Sequence, residues 1–175
     1  MIIKGFKSWL KDNKAVAAIE MGMLLPLMLA ILMGMFDTGN AVLINQKAIN
    51  ASQTVSDLLG RHEVVDDELL DEYIKAGELM FQPNDTASYG VDIVGIQFDG
   101  SPDNPVERWR ETRNMIVNPN IVANAAGLGA EDEGVLGITV KFTYEPFFSS
   151  DFMGTFDIWE VAYVRGRTGI FITKE

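Results

Sequence analysis

A single glutamate, Glu20, stands inside a run that is otherwise uncharged from Val16 to Phe36. A carboxylate in hydrocarbon costs about 2.5–3.5 kcal/mol on insertion scales, so an unneeded one should be absent. An ammonium and a carboxylate meeting in lipid offset desolvation that neither bears alone. The other residue types that could do chemistry are poorly arranged. His62 is the one histidine, and no H-x-x-x-H spacing accompanies it, so it reads as a helix-end residue. The serines lack a G-x-S-x-G elbow. Gly127–Gly134, GLGAEDEG, has the glycines of a phosphate loop, but no Lys-Ser/Thr follows, and its carboxylates would repel phosphate. There is no cysteine, which excludes disulfides, thiolate metal sites and cysteine catalysis.

Two acidic clusters remain, Asp66, Asp67, Glu68, Asp71 and Glu72, and Glu131, Asp132 and Glu133. Converging oxygens could hold Ca²⁺, but no D-x-D-x-D-G loop is present. The clusters read as a helix start and a solvated turn. No cofactor and no metal site is expected, and the chain is expected to catalyse nothing. Arg165 and Arg167 lie beyond a strand signal, and carboxylates of the same domain are their expected partners, with a subunit contact as the alternative.

Charge is divided along the chain. Residues 1–14 carry Lys4, Lys7, Lys11 and Lys14 against Asp12, whereas the whole chain of 175 residues has a net charge of -11. A basic tip before an apolar run orients a helix with its lysines in the cytoplasm and the remainder outside. The acidic remainder argues against nucleic acid and anionic lipid heads as partners. The run from Ala15 to Ile44 is long enough as a helix to cross about 30 Å of hydrocarbon if Glu20 and Asp37 are accommodated. A secretory signal peptide is one reading, but the apolar stretch is long and FDTGNAVLINQ after it offers no A-x-A-like site. A plain membrane anchor is the second reading.

The third reading accounts for Glu20. The junction Lys14-Ala15-Val16 resembles the substrates of prepilin peptidases, which are cut on the cytoplasmic side just before the apolar run. Those substrates have a small residue at the cut and a glutamate fifth in the mature chain, and Glu20 is fifth from Val16. Cutting there would free an α-amino group on Val16 to meet the Glu20 carboxylate of a neighbouring subunit. Gly22 lies four residues before Pro26, whose ring crowds the carbonyl at i−4, so glycine offers least resistance to a local kink. Ala30, Gly34 and Gly39 would let helices approach closely.

The stretch AVAAIEMGMLLPLMLAILMGMFDTGNAVLINQKAINAS resembles the N-terminus of the TadE/TadF-like proteins, minor-pilin components of the tight-adherence, Flp-type pilus system. Ala17, Ala18, Ile19, Glu20, Pro26, Gly34 and Asp37 occupy matching positions. Departures are Ala15 where glycine is usual, Met21 where phenylalanine is common, and Met23 for an aliphatic residue. The resemblance covers about 40 residues, and the C-terminal half matches more loosely through VKFTYEPFF and AYVRGRTG. It implies a membrane-inserted minor pilin or pseudopilin, trimmed by a prepilin peptidase. It also implies partners: the major Flp pilin, other minor pilins, the peptidase and the inner-membrane assembly platform. The expected location is the inner membrane, single-pass, with a cytoplasmic N-terminus and a periplasmic C-terminal domain. The competing reading is a single-pass, membrane-anchored periplasmic binding or envelope protein without a pilus role.

The elements that must position these groups follow from periodicity. Ala41, Ile44, Ala48, Ala51, Val55 and Leu58 recur at helical spacing, so one helix is expected from about Ala17 to about Arg61. A second helix is expected from Asp66 to Phe81, with Leu69, Leu70, Tyr73, Ile74, Gly77 and Met80 as its apolar face and Pro83 ending it. Strands are expected at Val91–Phe98, Val106–Thr112 (a polar edge), Leu136–Glu145, Asp157–Arg165 and Gly169–Thr173. Asn118–Gly134 reads as a loop with one helical turn. In Leu136–Glu145, Leu136, Ile138, Val140, Phe142 and Tyr144 alternate with Thr139, Lys141, Thr143 and Glu145. Sequential strands with turn-rich links favour an antiparallel sheet. The fold class is therefore α+β and pilin-like: a long N-terminal transmembrane helix continuing into a globular domain with an antiparallel β-sheet. The expected divisions are a leader at 1–15, a transmembrane and assembly helix at 16–44 and a periplasmic domain at 45–175.

Overall fold

The computed structural model describes residues 13–167 and 171–175, with side chains of the first helix described from Val16 onward. The leader expected at 1–15 therefore lies outside the described residues up to residue 12, as do the side chains of Lys14 and Ala15. Helix α1 spans Asn13–Leu59. The single proline within it is Pro26, and the helix continues across it. The two-residue strand β1 (Val64–Val65) follows, then helix α2 (Asp67–Leu79), β2 (Gly90–Phe98), β3 (Pro105–Arg113), β4 (Gly134–Tyr144), the single-turn helix α3 (Ser150–Met153), β5 (Phe156–Arg165) and β6 (Thr173–Lys174).

The chain divides into two units. One holds the described residues up to Asn40 together with Pro146–Gly154; the other holds Ala41–Glu145 and Thr155–Glu175.

The second unit is built on a four-stranded antiparallel sheet of order β3-β2-β4-β5. One face receives the stripe Ile44, Ala48, Ala51, Val55 and Leu59 from α1. These residues pack with Val91 and Ile93 of β2 and Leu136, Ile138, Val140 and Phe142 of β4. The alternating residues expected on the inward face of β4 are the ones that pack here. The two alanines keep the helix surface low where the sheet approaches it. Leu59, rather than the expected Leu58, closes the stripe: it is fully buried while Leu58 is half-buried.

Helix α2 starts at Asp66, whose extended backbone and side chain cap it, Oδ1 accepting from Leu69 N at 2.8 Å. That bond satisfies one of the four free N–H groups every helix start exposes. Leu70 and Gly77 are its buried residues. A Cβ on Gly77 would strike Val55 and Tyr89, so glycine is what lets α2 close on α1. Met80, expected on the apolar face, is exposed. The helix ends at Leu79, and the chain turns to bury Phe81 instead, stacked on Phe142 at a ring separation of 4.4 Å. Lys47 ties down this end: its Nζ donates to the carbonyls of Phe81 and Gln82, each at 3.0 Å, and to Asn84 Oδ1 at 2.6 Å.

The other face of the sheet is covered by residues 114–133. Val94, Ile96 and Phe98 of β2 and Val135 of β4 pack on Ile121 and Ala125. A short 3₁₀ turn, Ala123–Ala125, is the helical turn expected there. Because that segment folds back, Thr139 is fully buried, although its parity placed it on a polar face. Asn118 Nδ2 donates to its hydroxyl at 3.1 Å. Strand β3 is an edge, as expected. Its register against β2 shifts between Gly95 and Ile96, where the Trp109 indole lies over Gly95, a contact no side chain at that position would permit. Trp109 Nε1 donates to Ile172 O at 2.7 Å.

The last expected strand, Gly169–Thr173, lies partly outside the described residues. The strand observed is Thr173–Lys174, and it pairs with Val64–Val65 in parallel, not as part of the antiparallel sheet. Two valines carry too short a pattern to announce a strand, so β1 has no counterpart in the periodicity.

Candidate functional site

The first unit carries the residues singled out for assembly. From Val16 to Phe36, α1 is apolar and almost wholly exposed. By length and composition it is the one helix among the described residues able to cross a membrane. Exposed methionine, leucine and isoleucine side chains along a whole helix surface are stable only in an apolar surrounding. Val16 is exposed at the start of this stretch, and Glu20 is exposed one turn later. Lys14 and Ala15 belong to the same helix by backbone. Gly22, Gly34 and Gly39 face open space, with nothing within 4 Å of an added Cβ. The helix thus presents the expected processing residues Lys14, Ala15 and Val16 and the expected assembly residues Glu20, Gly22 and Pro26 in one uninterrupted segment, with the described side chains uncovered.

At the far end of the stretch sits a site that periodicity does not reveal. Asp37 is only 3% exposed, although it directly follows the exposed Phe36. Its carboxylate receives the chain on its return between β4 and β5. Oδ1 accepts from Phe147 N at 2.9 Å and Phe148 N at 3.2 Å. Oδ2 accepts from Phe148 N at 3.1 Å, Ser149 N at 2.8 Å and Ser149 Oγ at 2.7 Å. Three successive N–H groups converging on one anion form a concave backbone cradle. Hydrogen bonds to an ionised acceptor contribute about 1.5–3 kcal/mol each. The Phe36 ring meets Phe148 edge-on at 5.4 Å and Phe147 at 6.4 Å. The signal available in sequence was a lone acidic residue closing an apolar run; its partners lie 110 residues away.

Asp37→Ala is therefore expected to raise amide hydrogen exchange at Phe147, Phe148 and Ser149 by roughly tenfold to a hundredfold, the range one charged hydrogen bond implies. Amides of β4 should exchange as before. Unchanged exchange at the three cradle amides would mean that the rings alone hold this segment.

The other candidates dissolve into structure. His62 Nε2 lies 2.8 Å from Tyr73 Oη, joining the end of α1 to α2. Arg165 donates from Nε to Leu128 O at 2.7 Å and lies 3.5 Å from Glu133, a pairing within its own unit. Glu133 also accepts from Ala130 N. Among the described residues, no group of three or more histidine, aspartate or glutamate side chains is placed to hold a metal ion.

Comparison with known proteins adds one finding. Residues 15–57 match the family model described as TadE-like protein. The match spans the apolar stretch, Glu20, Pro26, Asp37 and most of the stripe packed on the sheet, and ends before β1. None of the curated proteins compared matches the chain, and none of the solved structures does. The matched segment and the exposed apolar helix fit a pilus-associated membrane protein.

Proposed function

We propose that this chain is a TadE-like minor pilin or pseudopilin of a tight-adherence, Flp-type pilus system, inserted in the inner membrane by α1. The observation that carries this reading is the coincidence of the family match over residues 15–57 with an exposed apolar helix bearing one glutamate. Residues 1–15 form a cytoplasmic leader. A prepilin peptidase removes it between Ala15 and Val16, residues 16–44 form the membrane and assembly helix, and residues 45–175 form a periplasmic domain. The Val16 ammonium of one subunit and the Glu20 carboxylate of another neutralise each other in lipid, which makes the pair cheap to bury and either partner costly alone. Gly22, beside Pro26, lets the helix bend locally. The partners are the major Flp pilin, fellow minor pilins, the peptidase and the inner-membrane platform. The role is structural, not catalytic: the domain caps, primes or stabilises a filament.

Intact-mass measurement of protein extracted from native membranes tests the processing step. The expected mass is that of a chain beginning at Val16. A mass retaining the lysine-bearing leader would reduce the protein to a tethered envelope domain.

A further inference from the structure

The apolar stretch of α1 ends at Phe36, about 30 Å along the axis from Val16 at 1.5 Å per residue, which is the thickness of a hydrocarbon core. At that level, in the same unit, sits Pro146–Gly154, whose sequence is PFFSSDFMG. Phe147, Phe148, Phe152 and Met153 are all exposed, Phe147 at 75% and Phe152 at 92%. Asp151 is the one charged residue among the nine. Phe148 also completes an apolar cavity with Leu29, Leu32, Met33, Met35 and Phe36, so the loop and the membrane-facing helix share one continuous greasy surface.

Six N–H groups of this loop are bound either to Asp37 or within the loop itself. The N–H groups of Phe147, Phe148 and Ser149 are bound to Asp37. Phe152 and Met153 donate to Ser149 O at 3.0 and 2.8 Å, and Gly154 donates to Ser150 O at 2.9 Å. Pro146 has no N–H to satisfy. Backbone groups satisfied internally are what a segment needs where water is scarce. Aromatic side chains on such a backbone favour the boundary between headgroups and acyl chains.

We propose that Pro146–Gly154 is a membrane foot. It lies in the headgroup–acyl boundary of the outward-facing leaflet, with Phe147, Phe148, Phe152 and Met153 among the lipid chains. Asp37 is the post that holds it at that depth. The occupant of the exposed patch is lipid of the bilayer that α1 crosses, since the patch continues the helix surface already directed at lipid. The inference rests on the membrane-spanning reading of α1.

The absence of cysteine allows single labels. Full-length protein carrying an environment-sensitive fluorophore at Phe152→Cys, Leu27→Cys or Asp103→Cys would be reconstituted in phosphatidylcholine–phosphatidylglycerol vesicles. The vesicles would contain lipids with a nitroxide at a shallow or a deep acyl carbon. All three positions are exposed, so none of the labels disturbs packing. The label at Phe152 should lose emission roughly twofold or more to the shallow quencher, that at Leu27 to the deep one, and that at Asp103 to neither. Quenching at Leu27 with Phe152 behaving like Asp103 would overturn the foot and leave the membrane span intact. No quenching at Leu27 would remove the span and the foot together. A dry but unquenched Phe152 label, varying with the protein-to-lipid ratio, would assign the patch to another copy of the chain and overturn the foot as well.

Discussion

Replacing Arg110 with methionine is expected to lower the unfolding free energy by about 3–5 kcal/mol at neutral pH, the cost of stranding a buried charge. Asp92 lies on the central strand β2 with a fully buried side chain. Arg110 grips both its oxygens, Nε to Oδ1 and Nη2 to Oδ2, each at 2.9 Å. Thr112 Oγ1 donates to Oδ1 at 2.7 Å and Asn118 N to Oδ2 at 2.9 Å. Arg110 also donates to Asn118 O at 2.9 Å. The carboxylate is thus the knot joining the edge strand, the central strand and the segment that covers the second sheet face. Exposed pairs such as Arg61–Asp57 are screened by water and add little, so the Asp92–Arg110 pair should dominate any charge scan of the domain.

The pH dependence has a definite sign. Burial by itself would raise the Asp92 carboxyl, but the Arg110 hydrogen bonds, the Asn118 N–H and the Thr112 hydroxyl outweigh it and hold the carboxyl below the usual range. A depressed folded-state value contributes stability above the ordinary carboxylate value of about 3.9. That contribution is lost as pH falls through the folded value. In Arg110→Met the guanidinium is gone and burial acts with less opposition, so Asp92 favours its neutral form. The deficit relative to the parent protein should therefore shrink in acid. Denaturant titrations of full-length protein in detergent, followed by tryptophan fluorescence at neutral pH and near the carboxylate range, measure both effects. A loss below about 1 kcal/mol, or one independent of pH, would mean that water screens the pair.

Replacing Glu20 with alanine should leave membrane insertion unchanged and cut filament incorporation by roughly a hundredfold. An unpartnered charge in hydrocarbon costs about 2.5–3.5 kcal/mol, and each 1.4 kcal/mol is a factor of ten. Glu20 is exposed on α1 and takes no part in the hydrophobic core, so the variant should fold and melt as the parent does. Membrane fractionation reads insertion, and immunoblotting of sheared surface material reads incorporation. Wild-type incorporation by the variant would remove the role assigned to the carboxylate, even if the leader is cleaved.

Local chemistry in the sequence determined the helices and most strands. Apolar residues at three- and four-residue spacing describe α1, and Asp66 ahead of an acidic first turn marks the start of α2. Alternation from Leu136 to Tyr144 identifies the inward face of β4, and the polar Val106–Thr112 segment sits at the sheet edge as read. These signals work because propensity, capping and side-chain parity act over a few residues. Ends were less legible, since a single turn decides between Leu58 and Leu59, or between Met80 and Phe81, and packing makes that choice. Parity says which residues share a face but not whether that face is covered. Thr139 is buried only because residues 114–133 return across it. Likewise, one carboxylate after an apolar run gives no hint that three amides 110 residues later will close around it. The Asp37 cradle, the Asp92–Arg110 knot and the parallel pairing of β1 with β6 all join segments distant in the chain. Such contacts exist only once the chain has returned, because their stabilisation depends on burial and geometry that no short stretch possesses.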